Sequence, residues 1–74
     1  MVEKLIEEIR KRYNLEIDLQ VKFSKVYNVS FKLEGNEISF IYMYDSMSSF
    51  ADNLKELEHK VNTEIIEYYK RKEK

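Results

Sequence analysis

Apolar residues recur along this chain with two different periods. Val2, Leu5, Ile6, Ile9 and Tyr13 keep the i, i+3, i+4, i+7 spacing of one helical face, with charged residues between them. Glu7 with Lys11 and Glu8 with Arg12 are i,i+4 pairs in the favourable order, and Arg10 to Arg12 stand where a helix C-terminus attracts cations. The spacing predicts a helix over 2–13 that stops at Asn14. From Leu15 the period becomes two: Leu15, Ile17, Leu19, Val21 and Phe23 alternate with Glu16, Asp18, Gln20 and Lys22, the pattern of a half-buried strand. The same odd-numbered alternation resumes at Tyr27, Val29, Phe31 and Leu33. Lys25 would put a charge into that apolar set, so Ser24, Lys25 and Val26 read as an odd-length turn that sets Phe23 opposite Tyr27 on one face.

Glu34-Gly35-Asn36-Glu37 separates the second alternating run from a third. Gly35 followed by Asn36 suits a two-residue type II′ loop. That loop places Leu33 opposite Ile38, Phe31 opposite Phe40, Val29 opposite Tyr42 and Tyr27 opposite Tyr44, so all four inward pairs are apolar or aromatic. The stretch Asp45-Ser46-Met47-Ser48-Ser49 then offers N-cap residues, and Ser49 with Asp52 approximates a capping box. Phe50, Leu54, Leu57, Val61, Ile65 and Tyr68 form a helical stripe with no Gly or Pro before the charged end. A helix from about 47 to 71 would be roughly 35 Å long against about 26 Å for an eight-residue strand, so its last two turns are expected to overhang the sheet.

The order is α-β-β-β-α. Short connections make it one α+β domain over 1–74, a three-stranded antiparallel meander with both helices packed on the apolar face. Both helices then run the same way, and their C-termini meet at the Gly35-Asn36 end. As topology this order resembles the double-stranded RNA-binding domain over nearly the whole chain. That family reads a minor groove with a Gly-, Pro- and His-bearing loop where this chain has Ser24-Lys25-Val26, and clamps phosphates with a Lys-rich second-helix start. Here that start is Asp45-Ser46-Met47-Ser48-Ser49, with Asp52 following and no base before Lys55. The resemblance therefore implies a fold and not that mode of RNA binding. The layout also resembles some phage-encoded inhibitors of CRISPR nucleases, with a Gly-Asn-Glu turn at 35–37 in the matching place.

Composition narrows the function classes more than it selects one. The 74 residues carry 13 Lys plus Arg against 14 Asp plus Glu, for a net charge of -1, so no overall field points to nucleic acid or to an acidic membrane. With no Cys and one His, thiol nucleophiles, disulfides and thiolate zinc sites are excluded. His59 lies three or four helical turns from Ser46, Ser48 and Ser49, too far to activate any of them. Lone Gly35 cannot make a phosphate cradle. Charged residues from Glu3 onward leave no signal-peptide stretch, and the apolar run Phe40 to Tyr44 is far short of a membrane span. The expectation is a cytoplasmic, non-enzymatic chain without cofactor or metal.

Two features exceed what a minimal core needs. In the register above, Ile41 and Met43 point to the face of the sheet that should be wet, and Ile65, Ile66, Tyr68 and Tyr69 wrap more of the last helix than one stripe requires. Ile41, Met43, Ile66 and Tyr69 are the candidate protein-interaction residues, for another protein bound through the outer sheet face or the end of the last helix, and that helix end is also the expected place for a homodimer. Arg10, Lys11, Arg12, Lys70, Arg71, Lys72 and Lys74 could cluster as a basic pole at the shared helix ends, tempered by Glu34, Glu37 and Glu73. A pI of 5.8 sets that pole below a nucleic-acid footprint. The primary expectation is a small interaction protein of regulator or inhibitor type, phage-like or encoded by another mobile element, acting on another protein. The alternative is a nucleic-acid-binding module of the same topology that uses the basic pole.

Overall fold

The structure, a computed structural model, describes residues 2–72; Glu73 and Lys74 of the expected basic pole lie outside them. The elements are α1 (Val2–Tyr13), β1 (Ile17–Phe23), β2 (Val26–Leu33), β3 (Asn36–Met43) and α2 (Phe50–Lys72), in the expected α-β-β-β-α order. Asn14 leaves α1 through a left-handed residue at φ 53°, a conformation Asn accepts more readily than most side chains. The antiparallel sheet has the order β1-β2-β3. Leu5, Ile6 and Ile9 of α1 and Leu54, Leu57 and Val61 of α2 cover Ile17, Val29, Phe31, Ile38 and Tyr42 on one sheet face. Helices and strands thus bury the stripes that their two periods set up.

The second hairpin turns one residue earlier than expected. Glu34 and Gly35 both have positive φ, 51° and 83°, which is a type I′ loop, and Leu33 pairs with Asn36. Phe31 therefore faces Ile38, Val29 faces Phe40, and Tyr27 faces Tyr42. A shift of two residues leaves every side chain on its own face, so the hydrophobic pattern could not choose between the registers. Contacts at the tip favour the observed one. Glu34 accepts a hydrogen bond from the Tyr68 hydroxyl at 3.0 Å and pairs with Lys72, while the Asn36 side-chain amide donates to Tyr68 Oη at 2.9 Å. The last turns of α2 consequently lie over the hairpin tip instead of overhanging the sheet. Ile65 and Tyr68 pack against the core, which accounts for half of the apolar surplus at this end.

The first hairpin departs from expectation in another way. Ser24 and Lys25 make a two-residue loop, with Lys25 at φ 65°, and the register shifts between Val21 and Phe23. Val21 faces Tyr27, but Phe23 faces Val26. An extra residue at Lys22, and not an odd-length loop, reconciles the two alternations, and it turns Phe23 away from the inner face.

The β3 to α2 connection is held by one buried polar side chain. Asn53 is 1% exposed. Its Oδ1 accepts from Tyr42 Oη at 3.0 Å and from the Asp45 amide at 3.1 Å, and its Nδ2 donates to the carbonyls of Asp45 and Ser49. Ser49 caps α2 by accepting from the Asp52 amide at 3.1 Å. The cap falls where the sequence places it, and the helix begins at Phe50 instead of 47.

Candidate interaction surface

The outer face of the sheet is built by the residues that alternate with the core set. Directly paired residues on neighbouring strands point to the same side. Across the three strands, Asp18, Ser30 and Ser39 make one outer row, and Gln20, Asn28 and Ile41 make the next. Phe23, Val26 and Met43 make the last. The face is therefore polar toward the Glu34–Gly35 end and apolar toward the Ser24–Lys25 end. Phe23 is 71% exposed and Met43 66%, with Ile41 exposed beside them and Val26 half-buried between.

Both departures from the expected registers contribute to this row. In the expected pairing Met43 would face Asn28 and Ile41 would face Ser30; the type I′ turn slides Met43 opposite Val26 instead. The irregularity at Lys22 then adds Phe23, which alternation alone assigns to the core. Ile41 and Met43 were readable as outward-facing, whereas Phe23 and Val26 were not. The only sequence signal for Phe23 was the misfit of Lys25 between two odd-numbered apolar runs. Lys22 and Lys25 flank the row, Lys25 donating to Ser46 Oγ at 2.9 Å. Neither lysine makes a direct ion pair among the described residues, although the Asp45 carboxyl, held below its ordinary pKa by the bonds it accepts from Ser48 and Met47, is lowered further by nearby Lys25.

The other candidate residues lie elsewhere. Ile66 is 55% exposed and Tyr69 42% exposed on the last turns of α2, where the Tyr69 ring meets the Tyr68 ring edge-on at 5.1 Å between centroids. Tyr68 is itself held by Glu34 and Asn36, so Tyr69 is supported by a fixed neighbour. The basic residues fall into two groups. Arg12 pairs with Glu58 and with Glu8, and Arg10 donates to the Ile17 carbonyl, which ties α1 to the middle of α2 and to β1. The bond to Glu58 also holds the Arg12 guanidinium above its ordinary pKa. Lys70, Arg71 and Lys72 lie at least eight residues beyond Asn62, the α2 residue that accepts from Tyr13 Oη at 2.6 Å. That is about 12 Å further along the helix axis. Lys72 is engaged by Glu34, which sits below its ordinary pKa because of that bond and the one from Tyr68. The geometry thus uses Arg10, Arg12 and Lys72 as internal ties and leaves Lys11, Lys70 and Arg71 on separated surfaces.

Compared with protein-family models, with curated proteins and with solved structures, the chain matches none. No helix among the described residues is long and apolar enough to cross a membrane.

Proposed function

We propose that this chain is a non-enzymatic interaction protein that binds another protein through the apolar end of its outer sheet face. The observation that supports this reading is the cross-strand row Phe23, Val26 and Met43, extended by Ile41, which exposes large side chains where an ordinary wet sheet face carries polar ones. An apolar centre with polar neighbours is how recognition patches are built. Gln20 and Asn28 lie on one side of the row, and Lys22 and Lys25 supply positive charge around it. The fitting partner presents an apolar anchor with carboxylates beside it, the charge complement of those two lysines. Regulator or inhibitor chemistry needs no more than this, since occupying a partner's surface is sufficient to block it.

The test uses cross-linked affinity capture to identify a partner, followed by titration of the purified pair. Phe23→Asp and Met43→Asp are expected to weaken binding at least about tenfold, the scale of an anchor residue at a protein interface, while Ile66→Asp leaves it unchanged. Undiminished binding by both outer-face variants overturns the reading.

A further inference from the structure

The sheet has two free edges, and they are not equivalent. β1 carries Asp18 and Lys22 and the irregularity at Lys22, devices that discourage another strand from adding on. β3 is eight residues long, regular throughout, and from Ile38 to Met43 has no charge, Pro or Gly. We propose that this β3 edge pairs antiparallel with β3 of a second copy of the chain, joining two sheets into one of six strands. The inference goes beyond the outer-face reading and does not depend on it.

The type I′ turn decides which backbone groups are available. A two-residue loop makes its flanking residues, Leu33 and Asn36, a hydrogen-bonded pair, so the even-numbered residues of β3 bond to β2. The Tyr44 amide donating to the Lys25 carbonyl at 2.8 Å keeps the same parity. The N–H and C=O groups of Glu37, Ser39, Ile41 and Met43 therefore face the open edge. A two-fold axis normal to the sheet and passing between the two Phe40 residues sets Ser39 opposite Ile41 and Glu37 opposite Met43. Every outward group then finds a partner, in about eight hydrogen bonds. Sliding the second copy by two residues either way strands one end of each edge beside Asp45 or Gly35.

Charge favours the same occupant. Phe40 lies in a shallow groove with His59, Lys60, Thr63 and Glu64 of α2. Lys60 and Glu64 are half-buried, and neither has an ion-pair partner among the described residues. Rotation about the Phe40 axis reverses the direction of α2, so Lys60 of one copy comes toward Glu64 of the second and the reverse. The edge is thus self-complementary in backbone and in the Lys60 and Glu64 charges, as a two-fold interface requires.

The experiment is analytical ultracentrifugation from micromolar to millimolar protein, with hydrogen exchange at both ends of the range. The expected mass rises from 9.0 kDa toward twice that value. In the dimer the amides of Glu37, Ser39, Ile41 and Met43 exchange at least roughly tenfold more slowly, alternating with residues already protected in the monomer. Ser39→Pro removes an outward N–H at a position where an edge strand tolerates Pro, and Ser39→Lys adds an edge charge without touching the backbone. Either variant, with far-UV circular dichroism unchanged, is expected to lose the dimer, while Phe23→Thr keeps it. A chain monomeric at millimolar concentration overturns the proposal. So does a dimer that survives Ser39→Lys with the native spectrum, or one in which those four amides exchange as freely as in the monomer.

Discussion

The two ends of the sheet are treated oppositely. At the Glu34–Gly35 end, α2 runs out over the turn, and Tyr68 and Lys72 fasten Glu34 and Asn36 to it. At the Ser24–Lys25 end, Val21, Phe23, Met43 and Met47 are all exposed. The offset follows from lengths. α1 has 12 residues and α2 has 23, and their shared C-terminal direction carries the longer helix toward the Glu34–Gly35 turn. Apolar side chains at the covered end stabilise the fold; those at the bare end are available to something else. The Asn53 cluster, which closes the connection from β3 to α2, is the buried anchor of the bare end, beside the exposed ties from Lys25 to Tyr44 and Ser46.

The largest expected effect breaks that anchor. Asn53→Ala leaves the Asp45 amide without its acceptor and the Asp45 and Ser49 carbonyls without the Nδ2 donor, reduces the Tyr42 hydroxyl to its longer bond to the residue 53 carbonyl at 3.4 Å, and opens space in a buried site. Its expected cost is about 3 kcal/mol in a urea titration, combining unsatisfied groups with lost packing. A cost below about 1 kcal/mol would show that solvent replaces the side chain there, and the bare end would then have no buried anchor among the described residues. The second effect concerns pH. Burial pushes the Tyr42 hydroxyl up to about 12 from an ordinary 10.0. A raised folded-state pKa means that this contribution is fully present below pH 10 and is lost as pH rises through about 12, because the unfolded chain gives up the proton first. The loss approaches roughly 2 kcal/mol at the alkaline limit, and Tyr42→Phe, measured against the wild type from pH 9 to 12, is expected to remove it.

The fold was legible because its two periods are clean: α1, three strands and α2 follow from spacing, and Asn14 and Ser49 mark ends by their ordinary chemistry. Register was not. Hydrophobic alternation is blind to a slip of two residues, and the choice between Gly35-Asn36 and Glu34-Gly35 as the loop depended on Tyr68 and Lys72, more than thirty positions away. The irregularity at Lys22 was hidden for a related reason, since an odd loop and an inserted strand residue satisfy the same apolar runs. Asn53 carries no signal in the sequence because a single polar residue at the rim of a helical stripe has no periodic signature. Its role appears only when Tyr42 and Asp45 are brought to it. Of the candidate surface, Ile41, Met43, Ile66 and Tyr69 were legible as apolar excess, but Phe23 and Val26 required the register.

The smallest effects set the two ends directly against each other. Tyr68→Phe keeps the packed ring and deletes one donor and one acceptor at the covered tip. It is expected to lower stability by about 0.5 to 1 kcal/mol, the net worth of a partly solvated hydrogen bond. Phe23→Thr removes a much larger apolar group from the bare end, yet Thr suits a strand, and the lost ring is already mostly in water. Its expected change is within about 0.5 kcal/mol. Volume alone predicts the reverse order, because a ring outweighs a hydroxyl. If denaturant titration finds Phe23→Thr to be the costlier substitution, the outer row is packed more tightly than its exposure implies, and its side chains serve this fold before any partner. If Tyr68→Phe costs more, the bare row is free of structural duty, which is the condition an interaction surface has to meet.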